Sequence, residues 1–352
     1  MKPKRGSAAR RPSQAPLTTS SSEDPAAAAG LAPGFHHRSV LLGPVTAAVV
    51  AAAAGRERPL VVDCTLGGGG HAAAILAALP HAGLIGMDRD PAALAAASQR
   101  LAAFGARFRP VHAAFGQLSA TMEQLQHSDA TAIIADLGVS SHQFDTAARG
   151  FSLRLDGPLD MRMDPTRGPT AAEKLAAVSL EELADVLYQF GDIQRSIGTA
   201  RIVRQALADG ADTTAKLAER LAARLPHQRH VHPATLVFQA LRIWVNDELG
   251  ELQRLLSAAP RLLQPGGVLA VISFHSGEDR LVKQEMRSQA PKKYGEFARG
   301  GEFTAEDEEL QVNPRARSAR LRLLWRAADG PSSRMNGKPK YDEVLSEKLT
   351  NS

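Results

Sequence analysis

Residues 60–90 constrain this chain more than any other stretch. They run Leu60-Val61-Val62-Asp63-Cys64-Thr65-Leu66, then Gly67 to Gly70, His71, an alanine-rich segment and Leu84-Ile85-Gly86-Met87-Asp88-Arg89-Asp90. This reads as strand, glycine loop, helix, strand and acidic loop, one nucleotide-binding βαβ unit. The apolar run 60–62 must stop at the glycines, whose backbone makes turns that a side chain would block and can approach a ligand closely. Residues 72–79 form a strong helix closed by Pro80, and 84–87 is the next apolar strand. Asp88 thus lands just past a strand tip beside the loop, where a carboxylate accepts hydrogen bonds from both hydroxyls of a ribose.

Gly67, Gly69 and Ala72 also satisfy the loose dinucleotide pattern, so on these residues a nicotinamide or flavin enzyme stays open. Two features lean toward S-adenosylmethionine: the density of glycine, and Asp63 just before the loop. An acidic group can meet the ammonium of a methionyl moiety, whereas it would repel a pyrophosphate.

With 352 residues, 44% of them apolar, the chain can bury one large core or two ordinary ones. Its net charge of +5 rests mostly on arginine, whose fork suits phosphate, so nucleic acid is a plausible partner. The single cysteine, Cys64, excludes an internal disulfide and fits a reducing compartment. It has neither a cysteine partner nor a metal-ligand cluster near it and reads as a small strand-end residue, so no metal is expected. No apolar run reaches the roughly 20 residues that span a bilayer. Residues 1–34, rich in Lys, Arg, Ser, Ala and Pro, read as a disordered basic tail, and 327–352 as a second disordered tail.

Between the tails, ordered sequence is expected from Phe35, with an Ala/Val helix after Pro44. Asp90-Pro91 starts a helix that runs to about Phe104, with Asp90 as its cap. Residues 108–112 form a third strand with Phe115 after its tip, where a ring could lie against an adenine or simply fill the core. Residues 131–137 form a fourth strand that delivers Asp136 to the ligand-binding edge of an open sheet. From 146 to 231 the strand pattern gives way to an Arg- and Asp-rich loop and to helices with capping boxes at Thr170 and Ser179. A long helix from His232 is expected to lay Val237, Leu241, Trp244, Leu252, Leu255 and Leu256 on the sheet, with Gln239, Arg242 and Asn246 as a second stripe that either borders the site or faces solvent. Pro265-Gly266-Gly267 reads as a turn, 268–273 as the fifth strand, Ser276 as a helix cap, the stretch from Arg287 to Asn313 as loop, and 321–325 as a last strand.

Several ordered motifs resemble one family. Asp136-Leu137-Gly138-Val139-Ser140-Ser141-His142-Gln143-Phe144-Asp145, Arg149-Gly150-Phe151-Ser152, and Asp156 through Asp164 resemble the bacterial 16S ribosomal RNA cytosine-N4 methyltransferase family, also called MraW or RsmH. The likeness extends to Thr65–His71, His232-Pro233-Ala234-Thr235, Ser273-Phe274-His275-Ser276 and Asn313-Pro314-Arg315-Ala316-Arg317-Ser318, and covers roughly 35–326.

This resemblance implies an α/β class I S-adenosylmethionine-dependent methyltransferase fold, a Rossmann-like sheet carrying an inserted helical domain. The methyltransferase domain would be discontinuous, 35–145 and 232–326, with 146–231 as the inserted substrate-recognition domain. Matched position by position, the family's cofactor contacts fall on Gly69, Gly70, His71, Asp88, Phe115, Asp136 and Gln143. The implied activity is methylation of the exocyclic N4 of a cytosine in the decoding region of small-subunit rRNA, in the cytoplasm, with the 30S subunit as the expected partner. Oligomeric state stays open, a homodimer among the options. Leu236, Gly277 and His142 depart from residues usual in the family; the lost cation at Leu236 bears more on substrate affinity than on cofactor binding.

Cytosine's amino nitrogen is a poor nucleophile because its lone pair is delocalised into the ring, so acceptors for its hydrogens and alignment with the methyl donor must supply the acceleration. Asp136, with Ser140 or a nearby backbone carbonyl, is the expected catalytic acceptor, the alternative being that Asp136 serves mainly the cofactor. Phe144, Phe151, Phe274 and Trp244 are the candidate faces for an extruded base. Arg149, Arg154, Arg162, Arg315, Arg317 and Arg320 are the candidate phosphate contacts, Arg162 being equally readable as an internal ion pair with Asp160 or Asp164. A protein or small-molecule methyltransferase, and an inactive ribosome-assembly factor on the same fold, are the rival readings.

Overall fold

The structure, a computed structural model, describes residues 39–226, 232–290 and 296–328. The basic tail 1–34, the entry 35–38 and the C-terminal tail from 329 lie outside the described residues.

Seven strands form one sheet in the order β3-β2-β1-β4-β5-β7-β6. In chain order the elements begin with α1 (Leu42–Ala53), β1 (Leu60–Asp63), α2 (Gly70–Ala78), β2 (Gly83–Asp88), α3 (Pro91–Arg100), β3 (Phe108–His112), α4 (Leu118–Gln124) and β4 (Ala130–Asp136). A helical excursion follows: α5 (Ser141–Asp145), α6 (Ala171–Ala177), α7 (Leu180–Gly191), α8 (Ser196–Ala208), α9 (Thr214–Ala222) and α10 (Thr235–Asn246). The chain returns through α11 (Glu248–Ala258), β5 (Leu263–Ser273), α12 (Ser276–Gln289), β6 (Phe297–Thr304), α13 (Asp307–Val312) and β7 (Arg320–Arg326). Strands β3, β2, β1, β4 and β5 are parallel, and β7 runs antiparallel between β5 and β6. This is the Rossmann-like class I arrangement. Its strand order reverses between β1 and β4, where a crevice opens at the carboxyl ends of the strands.

The central strands are apolar throughout because both faces are covered. Val61, Ile134, Ala270 and Leu323 pack with α1 and α2 on one face, while Val62, Ile133, Leu269 and Leu324 pack with α4, α11 and α12 on the other. Alternate residues thus feed two separate cores, as the pleat requires. A third core lies wholly among the helices between β4 and β5, built from residues such as Leu175, Leu187, Val203 and Leu217.

Four expectations change. The long helix from His232 is two helices, broken at Asp247 in a left-handed conformation, φ 51°. Only α11 sends Leu252, Leu255 and Leu256 to the sheet; Val237 and Leu241 of α10 belong to the third core, with Trp244 packed against it. The stretch between α12 and β7, read as loop, holds β6 and α13, and Pro265-Gly266-Gly267 is a kink inside β5 rather than a turn before it. The cap of α12 is His275, not Ser276. Among the described residues no helix is long and apolar enough to cross a membrane.

Candidate active site

A cavity of about 200 Å³ opens where the tips of β1, β2, β4 and β5 meet the loops of the helical excursion. Its floor is the glycine loop. Leu66 donates its N–H to the Met87 carbonyl, 2.9 Å, and packs its side chain over Gly86, which stitches the loop to β2. Gly67 and Gly69 both take positive φ, 52° and 76°, which favours glycine at each. Gly70 lines the cavity. Gly69 does not: it starts α2, and a Cβ there would stand 3.2 Å from Leu101, so its bareness serves packing against the end of α3.

Asp88 enters the cavity with each oxygen accepting one backbone N–H, from Gly67 at 2.7 Å and from Asp90 at 2.8 Å. Burial pushes its carboxyl up to about 6, against those two hydrogen bonds. Phe115, nearly buried, closes one side. Asp63, expected to meet an ammonium, does not line the cavity. It is 3% exposed beneath the loop, accepts the Thr65 N–H at 3.2 Å, and is pushed by burial up to about 7.

Asp136 stands at the tip of β4, its backbone N–H given to the Thr65 hydroxyl at 2.6 Å. Its Oδ1 is buried with no hydrogen-bond partner among the described residues, and its Oδ2 lies 3.8 Å from His71 Nδ1. Burial, then the carboxylates of Asp63, Glu278 and Glu309, raise its carboxyl well above the ordinary range. His71 is 7% exposed rather than turned to solvent. Its Nε2 lies 3.0 Å from the Val40 carbonyl, which can only accept, so Nε2 carries the hydrogen and Nδ1 faces Asp136 bare. Burial lowers this imidazole to about 4, so it is neutral at physiological pH.

Ser140 and Gln143 line the same wall and form the capping box of α5. The Ser140 hydroxyl accepts the Gln143 N–H at 3.3 Å, and the Gln143 carbonyl oxygen accepts the Ser140 N–H at 3.0 Å. The Gln143 amide then donates to Asp90 Oδ2, 2.8 Å. The structure therefore brings Gly70, His71, Asp88, Phe115, Asp136, Ser140 and Gln143 around one space and leaves Gly69 outside it.

The candidate substrate contacts fare unevenly. Phe274 lines the cavity, whereas Phe144 and Phe151 pair edge to face at 6.4 Å and Trp244 lies beneath Lys174. Arg149 is spent inside: it bonds Asp90 at 2.8 Å and the carbonyls of Arg162 and Met163. Arg162 forks onto Asp160 at 2.7 and 2.8 Å, the internal pair. Arg320 pairs with Glu302. Arg315 lines the mouth over the Phe144 ring, and Arg154 and Arg317 are exposed. Gln239, Arg242 and Asn246 do not border the cavity; they bond Phe190, Glu248 and the 161–163 backbone.

Sequence reasoning missed Glu248 and Glu278, which bring further negative charge to the lining. Burial pushes Glu278 up, but His275, Arg242 and the Phe274 N–H more than reverse this and hold it below the usual range. The signal was a capping box of four residues, from His275 to Glu278, hidden because histidine is an uncommon cap.

A model of the MraW methylase family matches residues 34–327. A ribosomal RNA small subunit methyltransferase H from Sorangium cellulosum is 47% identical over 268 residues, covering 75% of this chain and 84% of that protein. One from a Methylobacterium species is 43% identical over 293 residues, covering 78% and 86%. Among solved structures, an rRNA methylase from Streptococcus thermophilus is 13% identical, covering 79% of this chain and 92% of that one at a TM-score of 0.36. The strand order, not this loose likeness, carries the fold.

Proposed function

Since the chain belongs to the MraW methylase family, we propose that this methyltransferase uses S-adenosylmethionine to methylate the exocyclic N4 of a cytosine in the decoding region of small-subunit rRNA, with the cytoplasmic 30S subunit as its substrate. The observation that carries the reading is the Asp136 carboxylate at the tip of β4, whose buried Oδ1 lacks a partner among the described residues.

The residues present suit such a cofactor. S-Adenosylmethionine supplies a methyl group on a positively charged sulfur. The lining sets four carboxylates, Asp88, Asp136, Glu248 and Glu278, against three arginines, Arg89, Arg100 and Arg315, a balance that suits a cation better than an anionic pyrophosphate. Asp88 keeps lone pairs for a ribose, Phe115 offers a face for a purine, and Gly70, His71 and Gln143 border the remainder.

Asp136 accepts an N–H from the amino group and takes the proton that methylation makes acidic. Its raised proton affinity makes it a stronger base once ionised, and it ionises more readily when a cation shares the cavity. Ser140, with one lone pair given to the Gln143 N–H, keeps another for the same amino group. Phe274 provides a face for the base, and the helices from α6 to α10 form the substrate-recognition body.

The test is to incubate the purified chain and labelled cofactor with undermodified 30S subunits and to map the modified nucleoside by mass spectrometry. N4-methylcytidine in the decoding region is expected. Label on another base, on protein, or on nothing would overturn the assignment.

A further inference from the structure

A second cavity lies beside the first, where the tips of β2 and β3 meet α10 and the loop before α6. Arg89 walls both cavities. Strand β3 also contributes His112, the turn before α4 contributes Gln117, and the helical excursion contributes Arg162, Asp164 and Arg167.

Most of the side-chain acceptors here are already engaged. Asp164 Oδ1 takes the N–H and hydroxyl of Thr166 at 2.9 and 2.6 Å, and its Oδ2 faces His112 Nε2 at 3.2 Å. Asp247, also in the wall, accepts from Arg254 at 2.6 Å. The side-chain oxygen of Gln117 takes the Ala114 N–H, and that of Asn246 takes the Met163 N–H. Arg162 is spent on Asp160 and the Gly168 carbonyl.

The donors are not all engaged. Arg89 gives Nη1 to the Asn246 carbonyl at 2.8 Å, but its Nε is buried with no partner among the described residues. Arg167, with its side chain 69% exposed, makes only a long ion pair with Asp164, Nε to Oδ2 at 3.6 Å. A cavity with most side-chain acceptors spent and two guanidinium groups in reserve suits an anion, and guanidinium matches the geometry of phosphate oxygens.

We propose that this second cavity is a phosphate subsite in which Arg89 and Arg167 hold a phosphodiester of the RNA strand flanking the methylated nucleotide. It rests on the rRNA reading above. Because Arg89 belongs to both walls, the two cavities adjoin, and one strand can place its base in the first and its backbone against the second. Such contacts fix the register of the strand without reading its sequence. They also fill a duty that Arg149 and Arg162, spent internally, do not perform.

The experiment uses the full chain and undermodified 30S subunits, with Arg167→Glu and Arg167→Lys. The exposed position leaves the fold undisturbed. For Arg167→Glu, KM for the subunit should rise about tenfold and the salt slope of kcat/KM should shrink by about one, as for loss of one phosphate contact. Turnover at saturation and cofactor affinity should stay within about twofold, and Arg167→Lys should recover only part of the loss, since it keeps the charge but not the guanidinium fork. As a second arm, inorganic phosphate is titrated and followed by phosphorus NMR line broadening. An unchanged KM and salt slope overturns the subsite. Phosphate binding lost in Arg167→Glu without any change in subunit KM would make this a site for free anions and overturn the RNA assignment. If the wild-type chain methylates no rRNA, the functional reading falls and this proposal with it; an active wild type beside an indifferent variant sinks the subsite alone.

Discussion

At the scale of single residues, Asp136 and Asp63 are both buried carboxylates with raised proton affinity, yet only Asp136 lines the cavity. Asp136→Asn keeps the shape and an acceptor oxygen but removes the base. Turnover should fall roughly 10²–10⁴-fold, the usual worth of a positioned base, while cofactor affinity changes only a few-fold. Single-turnover rates and a cofactor titration check this, and near-normal turnover would remove Asp136 from the chemistry. Asp63 is a test of stability instead. Its folded carboxyl titrates near 7 against an ordinary 3.8, so the folded state holds a proton that the unfolded chain has already released. Wild-type stability from this group is therefore fully present below about pH 4 and is lost as pH rises through 7, by roughly 4 kcal/mol. Asp88 acts with the same sign up to about 6, whereas neutral His71 acts oppositely between 6.5 and about 4. Asp63→Asn isolates the first: urea unfolding at pH 5 and pH 8 should show the variant losing less stability than wild type. Parallel losses would refute the burial account. Asp88, Phe115 and Asp136 were legible because each ends or follows an apolar strand. The fate of Arg149 was not, because its partner Asp90 stands 59 residues away and no local pattern joins them.

At the scale of elements, the glycine loop depends on its neighbour strand as much as on its own glycines. A Cβ on Gly86 would lie 2.7 and 2.8 Å from the two Leu66 methyls and 2.9 Å from Phe108. Gly86→Ala should cost about 1–3 kcal/mol, as overpacking does. Because Leu66 immediately precedes Gly67, the variant should also weaken cofactor binding several-fold, measured by calorimetry beside its melting temperature. A destabilised protein with unaltered affinity would mean that the loop is set by its glycines alone. Strands β1 and β4 could be read because burial on both faces makes them continuously apolar. Strand β6 could not: it is an edge strand whose Arg299-Gly300-Gly301-Glu302 segment spans a register shift, so neither alternation nor apolar run survives. The break between α10 and α11 was masked by helical spacing that continues across it. The Asn246-Asp247 pair was its only mark, both being residue types that tolerate a left-handed turn.

At the scale of the whole molecule, the helical body is joined to the sheet through buried polar groups rather than apolar contact. Arg149 reaches across to Asp90, and Arg89 at the tip of β2 donates to the Asn246 carbonyl, 2.8 Å in each case. The excursion itself was legible as a loss of strand pattern after residue 145. That its core would annex α10 was not, since a helix's apolar stripe does not reveal which partner it meets. The strongest link in this seam is Arg242 with Glu248, two hydrogen bonds of 2.8 and 2.9 Å between side chains 15% and 5% exposed. Desolvating such a pair nearly cancels its attraction, so its net worth is small, but losing one member strands the other without water. Arg242→Leu should therefore destabilise the protein by about 3–5 kcal/mol through the orphaned Glu248. Arg242→Leu with Glu248→Leu should recover most of that in chemical denaturation. Glu248 also lines the cavity, so the double variant should regain stability without regaining cofactor affinity. If affinity returns with stability, Glu248 serves the seam alone. If stability does not return, the pair contributes through packing that leucine cannot replace.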